Sequence, residues 1–474
     1  MAFSKRRLIR ALIIIVLLFV FSLIPSNDER TYCIFSSIVV IISFACLWRS
    51  FGTFNGALIY YACLAFMHCG QIIMIALNLP FPSVLRSSIV LGFTTENEFV
   101  AIKFTTISCL VCSLILCIFS NSKEEKKVNN QPLQINGYEL TQIGWAIYII
   151  ILALSITSDI TKAIAVNKVG YLLGFRQTNG ILYYADMLLP LFTFFTLSIY
   201  RNNVKIIKIV FLIMIFKSGF SAFFVGTRST AVLSILMVAY AIYRLSERSE
   251  NKRWIKKTCI ILFLTGIIAL PLSGLLRTKS VNGIVDFITN YNPISYSLTE
   301  FGGSINNVKQ SYQFFYDKEI SVVEFYKSFL TILPLSTIVF PNVVGTYGNA
   351  YANYINYRVG VFEGGGGAGG SVLGEGVFWF GPGIGGYVYI AIITLIVIWC
   401  FKKLNNNRSK NRLLFDPLVM FLLYELFYQI RGTIQSVQTG IKLGVYFYII
   451  FICFRSILYK ETFSTISKDT YTSG

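Results

Sequence analysis

Charge is scarce in this chain. Only 13% of its 474 residues are Asp, Glu, Lys or Arg, about half of the roughly 25% found in soluble domains. That shortage excludes a soluble enzyme, a disordered chain and a coiled coil. Histidine is nearly missing as well. His68 is the single one, so neither a Ser–His–Asp triad nor a His-rich metal centre is expected. His68 itself lies within an apolar run and reads as a buried structural residue. Neither a Walker A motif nor a dinucleotide fingerprint after a strand is present, so no cofactor is expected. The ten cysteines lie in or beside apolar runs. Cys109 and Cys112 form a C-x-x-C pair but have no second pair to complete a zinc site. All ten read as small buried hydrophobes, and no metal site is expected. No internal repeat is visible, so the inverted-repeat signature of many transporters is missing.

What is present is apolar. Hydrophobic residues make up 55% of the chain and aromatics 16%, with a mean hydropathy of +0.65. A membrane-crossing helix needs about 20 apolar residues. Twelve runs are long enough: Leu8–Ile24, Thr31–Trp48, Phe54–Leu79, Phe99–Ser120, Leu140–Ser158, Ile181–Tyr200, Val204–Val225, Ser229–Leu245, Thr258–Leu275, Gly383–Phe401, Leu413–Ile430 and Gly440–Phe454. The expected class is an all-α polytopic membrane protein with about 12 transmembrane helices. The first run follows Lys5, Arg6, Arg7 and Arg10 but is not followed by a small-residue cleavage site, so it reads as an uncleaved span.

The net charge of +19 comes from 41 Lys+Arg against 22 Asp+Glu. It fits cytoplasmic loops and anionic headgroups, not nucleic acid. With both termini cytoplasmic, the basic clusters fall inside, among them Arg244–Lys257 and Lys402–Arg412. The short outer segments carry only Arg30, Arg86, Lys162, Lys168, Arg176, Arg228 and Arg431. The chain then divides into a bundle over 1–275, a large extracytoplasmic loop over 276–382, and a last group of spans with a cytoplasmic tail over 383–474. Within the loop, Val322–Phe340 reads as an interfacial or re-entrant helix, and Ser304–Tyr316 as a short helix on the membrane surface.

The stretch Gly364–Gly386 holds twelve of the 35 glycines. Glycine permits close backbone approach, and its N–H groups can form an anion-binding nest. The same stretch carries Ser371, Glu375 and Phe378-Trp379-Phe380, unlike a linker. Around it, five arginines fall in loops or at span mouths: Arg176, Arg228, Arg277, Arg358 and Arg431. A forked, permanently charged guanidinium suits phosphate, and the five together point to a shared anionic site. Arg228 is the best placed, because Ser229 or Thr230 can cap the helix that starts there. The loop carboxylates are Asp286, Glu300, Asp317, Glu319, Glu324, Glu363 and Glu375, of which Glu363 and Glu375 bracket much of the glycine stretch. Asp186, Lys217, Asp416, Glu425 and Lys442 lie within spans, either as ion pairs such as Glu425–Lys442 or as the wall of a cavity.

Gly366-Gly367-Ala368-Gly369-Gly370-Ser371, then Glu375, Gly381, Gly383 and Gly386, resemble the glycine–Ser–Glu–Gly segment of bacterial oligosaccharide repeat-unit polymerases, the Wzy class. Gly226-Thr227-Arg228-Ser229 is similar to an element of that class and of O-antigen ligases. Arg358 followed by Gly369 also fits a spacing of some members. The resemblance implies a metal-independent, GT-C-like membrane glycosyltransferase of the inner membrane that makes O-antigen or capsular polysaccharide. Its donor and acceptor would be polyprenyl-pyrophosphate oligosaccharides, and a chain-length regulator would be a further partner. Arg228, Glu375 and Glu363 would be catalytic. Arg176, Arg277, Arg358, Arg431, Gly369, Gly370 and Ser371 would bind substrate. The related ligases use an outer His, which has no counterpart here and leaves the general base open. A lipid-linked oligosaccharide flippase, another GT-C transferase using Asp28 and Glu29, and a ligase are the alternatives.

Overall fold

The computed structural model describes residues 5–25, 28–52, 54–79, 95–120, 138–169, 180–201, 203–246, 249–277, 292–316, 321–333, 336–339, 351, 370–405, 412–450 and 452. The described residues are helical throughout, with no strand among them. The long helices are α1 (Lys5–Leu23), α2 (Glu29–Phe51), α3 (Gly56–Ala76), α4 (Thr95–Phe119), α5 (Tyr138–Val169), α6 (Gly180–Ile199), α7 (Val204–Phe220), α8 (Arg228–Leu245) and α9 (Ser249–Arg277). The short helices α10 (Pro293–Phe301), α11 (Ser304–Phe315), α12 (Val322–Ser328), α13 (Ser336–Val339) and α14 (Val372–Phe380) follow. Then come α15 (Ile384–Asn405), α16 (Arg412–Gln429) and a final helix α17 over 434–450. The described parts of the twelve apolar runs fall on these helices, the seventh together with the turn that follows α7. Eight are long and apolar enough to cross a membrane: α2, α3, α4, α5, α6, α7 with the turn after it, α8 and α15.

Local chemistry sets several helix ends. Asp28 caps α2 by accepting from the Thr31 N–H at 2.8 Å, so this member of the Asp28–Glu29 pair has a structural task. Asn55 caps α3 in the same way through Ala57. Apolar burial gives little preference between helices already surrounded by lipid, so small polar contacts and close packing join them. Ser36 meets Thr106 between α2 and α4, Ser43 meets Tyr61 between α2 and α3, and Ser234 meets Tyr424 at 3.0 Å between α8 and α16.

Three details differ from the sequence reading. Helix α5 continues past Ser158 to Val169, which takes Lys162 out of a loop and into a helix. There Lys162 pairs with Asp186 of α6. Lys217 of α7 lies 3.2 Å from Asp159 and 3.4 Å from Asp186, and Ser155 and Ser158 also donate to Asp186. Two lysines thus face two aspartates, and the buried charges cancel locally. Second, Lys442 donates to Ser336 of α13 at 2.8 Å and not to Glu425. Third, α11 does not lie on a surface. It packs against α4, α3 and α14, with Asn307, Lys309, Gln310 and Ser311 all buried. The polar side of this helix is used inside the protein: Asn307 holds Gly370, Ser311 meets Tyr351, and Lys309 reaches Glu98.

Candidate active site

Helix α7 ends in one π-helical turn, Ser221–Val225, and Gly226 follows at φ +90°. That backbone conformation is open to glycine at little cost. The chain reverses there, and α8 starts at Arg228, two residues earlier than a cap at Ser229 would allow. Thr227 occupies the cap position but makes no side-chain cap bond. Its hydroxyl instead meets Ser221 at 2.6 Å across the reversal. The first N–H groups of α8 therefore have no side-chain cap, which favours an anion beside them.

Arg228 is 8% exposed. Its Nη2 lies 3.0 Å from Oε1 of Glu300. Its Nη1 is buried and has no hydrogen-bond partner among the described residues. A guanidinium offers five donors in a planar fork, so one edge is held while another remains for a ligand. Glu300 sits near the end of α10, and α10 is fixed to α3. Gln71 donates to the Thr299 carbonyl at 3.2 Å, and Gly302 packs on Gly70 with no space for a Cβ on either.

The glycine stretch enters the described structure at Gly370. A Cβ here would lie 2.3 Å from the Gly432 carbonyl oxygen, so the residue must be glycine for the two backbones to meet. Ser371 then caps α14, accepting from the Gly374 N–H at 3.0 Å. The same hydroxyl lies 2.8 Å from Nε2 of His68. His68 Nδ1 donates to the Leu64 carbonyl at 2.9 Å. The neutral ring therefore accepts from the Ser371 hydroxyl. The two residues are 303 positions apart and both fully buried.

Glu375 is 1% exposed. Its Oε2 accepts from Tyr389 at 2.9 Å, from the Ile434 N–H at 2.9 Å and from Gln429 at 3.4 Å. Burial pushes the carboxyl up to about 7 against those donors. Glu375 thus ties α14 to α15, α16 and the start of α17. Arg431 lies in the turn between α16 and α17, partly buried, and is an electrostatic neighbour of His68.

Five of the residues singled out from sequence have described side chains or, for glycine, a described backbone: Arg228, Gly370, Ser371, Glu375 and Arg431. The last four belong to one assembly in which the head of α14 meets the 430–434 turn. Arg228 reaches the same assembly along a second route. Arg228 pairs with Glu300 of α10, and Gln71 of α3 holds the adjacent Thr299. About one turn away on α3, His68 meets Ser371 and is an electrostatic neighbour of Arg431, so α3 brings both arginines to one region of the bundle. Arg176, Arg358, Glu363 and Gly369 lie outside the described residues, as does the side chain of Arg277. No group of three or more His, Cys, Asp or Glu able to hold a metal ion occurs among the described residues. Sequence reasoning passed over His68 and Glu300 as site residues, because no local spacing signals partners 303 and 72 positions away.

Chemically, this end of the bundle combines a buried guanidinium with an unused edge, an uncapped helix start, a second arginine and a rigid glycine-rich helix head. Those are the parts of a site for a phosphorylated ligand. Neither a curated protein nor a solved structure matches the chain. The family of the O-antigen polysaccharide polymerase Wzy matches residues 8–462, nearly its whole length. Taken with the eight apolar helices, the match establishes that the chain belongs to the O-antigen polysaccharide polymerase Wzy family, multi-pass inner-membrane proteins that polymerise lipid-linked oligosaccharide repeat units.

Proposed function

We propose that the Arg228 end of the bundle is the extracytoplasmic active site, in a GT-C-like arrangement of about twelve spans with both termini cytoplasmic. A polyprenyl-pyrophosphate oligosaccharide binds there as donor, with its pyrophosphate on Arg228 and the start of α8. Arg431 adds a second positive charge. Arg176, Arg277 and Arg358 are further candidates for the same anion, and Glu363 for the acceptor. A hydroxyl of the second lipid-linked unit attacks the anomeric carbon. The bond from that carbon to the pyrophosphate breaks, and the electron pair departs with the lipid pyrophosphate. Arginines neutralise the growing charge on this leaving group, so the reaction needs no metal. Electrostatic stabilisation of this kind is usually the largest catalytic contribution.

Glu375 acts in this reading through position. With Gly370 and Ser371 it sets the head of α14 against the 430–434 turn that carries Arg431. A chain-length regulator would act from outside this site. The observation that carries the proposal is the buried Arg228 with an unused donor edge at an uncapped helix start. The test is to give the purified protein a defined lipid-pyrophosphate repeat unit. A ladder of products spaced by one unit is expected, and single units left unchanged by folded, monodisperse protein would overturn the reading.

A further inference from the structure

The acceptor hydroxyl needs a group to take its proton, and the described carboxylates near the site differ in their freedom to do so. Glu375 is closed off: Oε2 takes three donors, and the residue is 1% exposed. Asp159 and Asp186 are bound up with Lys162 and Lys217. Glu300 is different. Its side chain is 15% exposed, its Oε1 faces Arg228 at 3.0 Å, and its Oε2 has no hydrogen-bond partner among the described residues. Its backbone is nevertheless firmly held. Asn292 caps α10 through the Ile294 N–H at 2.9 Å, and the Thr299 hydroxyl bonds Ser295 at 2.8 Å. Gln71 and the Gly70–Gly302 contact fix the far end of α10 on α3.

We infer that Glu300 is a catalytic residue, the general base that accepts the acceptor hydroxyl's proton beside the Arg228-bound pyrophosphate. This inference rests on the function proposed above. The acceptor oxygen forms its bond to the anomeric carbon as its proton passes to Oε2 of Glu300. The bond from the anomeric carbon to the pyrophosphate oxygen breaks, and the electron pair stays with the lipid pyrophosphate on Arg228. Glu300 then returns the proton to water. The ion pair gives this arrangement a physical logic. Before substrate arrives, each group neutralises the other in a site with little water. When the pyrophosphate takes a share of Arg228, Glu300 loses part of its counter-charge and becomes the better proton acceptor.

A structural ion pair would share the same geometry, so the experiment separates the two roles. Glu300→Gln keeps the size and an oxygen towards Arg228 but cannot act as a base. It is expected to lower kcat about 100-fold or more, while KM for the lipid-linked unit stays within about threefold. The charge-exchanged double variant Arg228→Glu, Glu300→Arg restores an ion pair in reverse. It is expected to accumulate as monodisperse protein and make no polymer. Formate should recover part of the activity of Glu300→Ala by standing in for the lost carboxylate. Turnover of Glu300→Gln above a third of wild type, or polymer made by the exchanged pair, would overturn the inference. So would a Glu300→Gln protein that fails to accumulate while the exchanged pair does. If wild-type protein itself yields no ladder, the broader proposal fails instead, and the two failures are distinct.

Discussion

Two buried ion-pair groups divide the labour in this bundle. In the first, Lys162 and Lys217 face Asp159 and Asp186 between α5, α6 and α7. Two charges of each sign close on one another, and serine hydroxyls add further bonds. In the second, Arg228 has Glu300 as its one ion-pair partner among the described residues, with Nη1 left over there and an uncapped helix beside it. Every charge of the first group lies within 3.4 Å of an opposite charge, whereas in the second the Nη1 edge of the guanidinium has no hydrogen-bond partner among the described residues. The lesson is that the number of charges inside a membrane protein says little about function. What matters is whether the donors and acceptors around those charges add up.

The largest effect should come from breaking the closed group. Lys217→Met leaves two aspartates to share Lys162, and removing one partner of a buried pair costs about 3–5 kcal/mol. The variant should melt far below wild type in detergent, with turnover per folded molecule little changed. Arg228→Ala should do the reverse. Its polymerisation rate should fall by about 10²–10³, equivalent to 2.7–4 kcal/mol in the barrier, with normal protein level. If Arg228→Ala instead unfolds the protein and keeps its specific activity, the contrast between the two groups is wrong.

A smaller effect concerns Glu375, which braces the site without an ion pair. Its folded carboxyl is pushed up to about 7 from an ordinary 4.5, so the folded state holds the proton more tightly than the unfolded one. Stability is then greatest below about pH 4.5, falls as the pH rises towards 7, and levels off above it. The full loss should be about 3 kcal/mol, most of it visible as a lower melting temperature at pH 8 than at pH 5. Glu375→Gln should flatten that slope; an unchanged slope would assign it to another group. The smallest effect should be at His68. A double-mutant cycle of His68→Ala and Ser371→Ala should show a coupling of about 1 kcal/mol in stability. Additive losses would mean that the 2.8 Å contact does not hold the head of α14.

Much of the secondary structure could be read from the chain. Where the twelve apolar runs are described they are helical, because a segment of about 20 mostly apolar residues has few stable states in lipid other than a helix. Arg228 was also legible, through a glycine-threonine-arginine-serine break between two apolar runs. The rest was not. Asn307, Lys309 and Ser311 make α11 look like a surface helix, and the structure spends them on contacts inside the protein. His68 reads as an isolated buried ring until α14 brings Ser371 to it. Lys442 and Glu425 are 17 residues apart and of opposite sign, yet Lys442 goes to Ser336.

Composition and the order of apolar and polar residues determined that this protein lives in a membrane, that it is helical and roughly where its apolar helices fall, since transfer of charge and bare backbone into lipid is costly wherever it occurs in the chain. Tertiary structure decided which polar groups are consumed by the fold and which are left over. Glu375 carries the more conspicuous sequence context, between glycines and ahead of an aromatic run, but it is enclosed by Tyr389, Gln429 and the Ile434 N–H. Glu300 sits in an unremarkable stretch and pairs with Arg228 through one oxygen, while the other has no hydrogen-bond partner among the described residues. Hydrogen bonding is short-ranged and saturable, so whether a carboxylate remains available depends on neighbours that only folding brings within 3 Å.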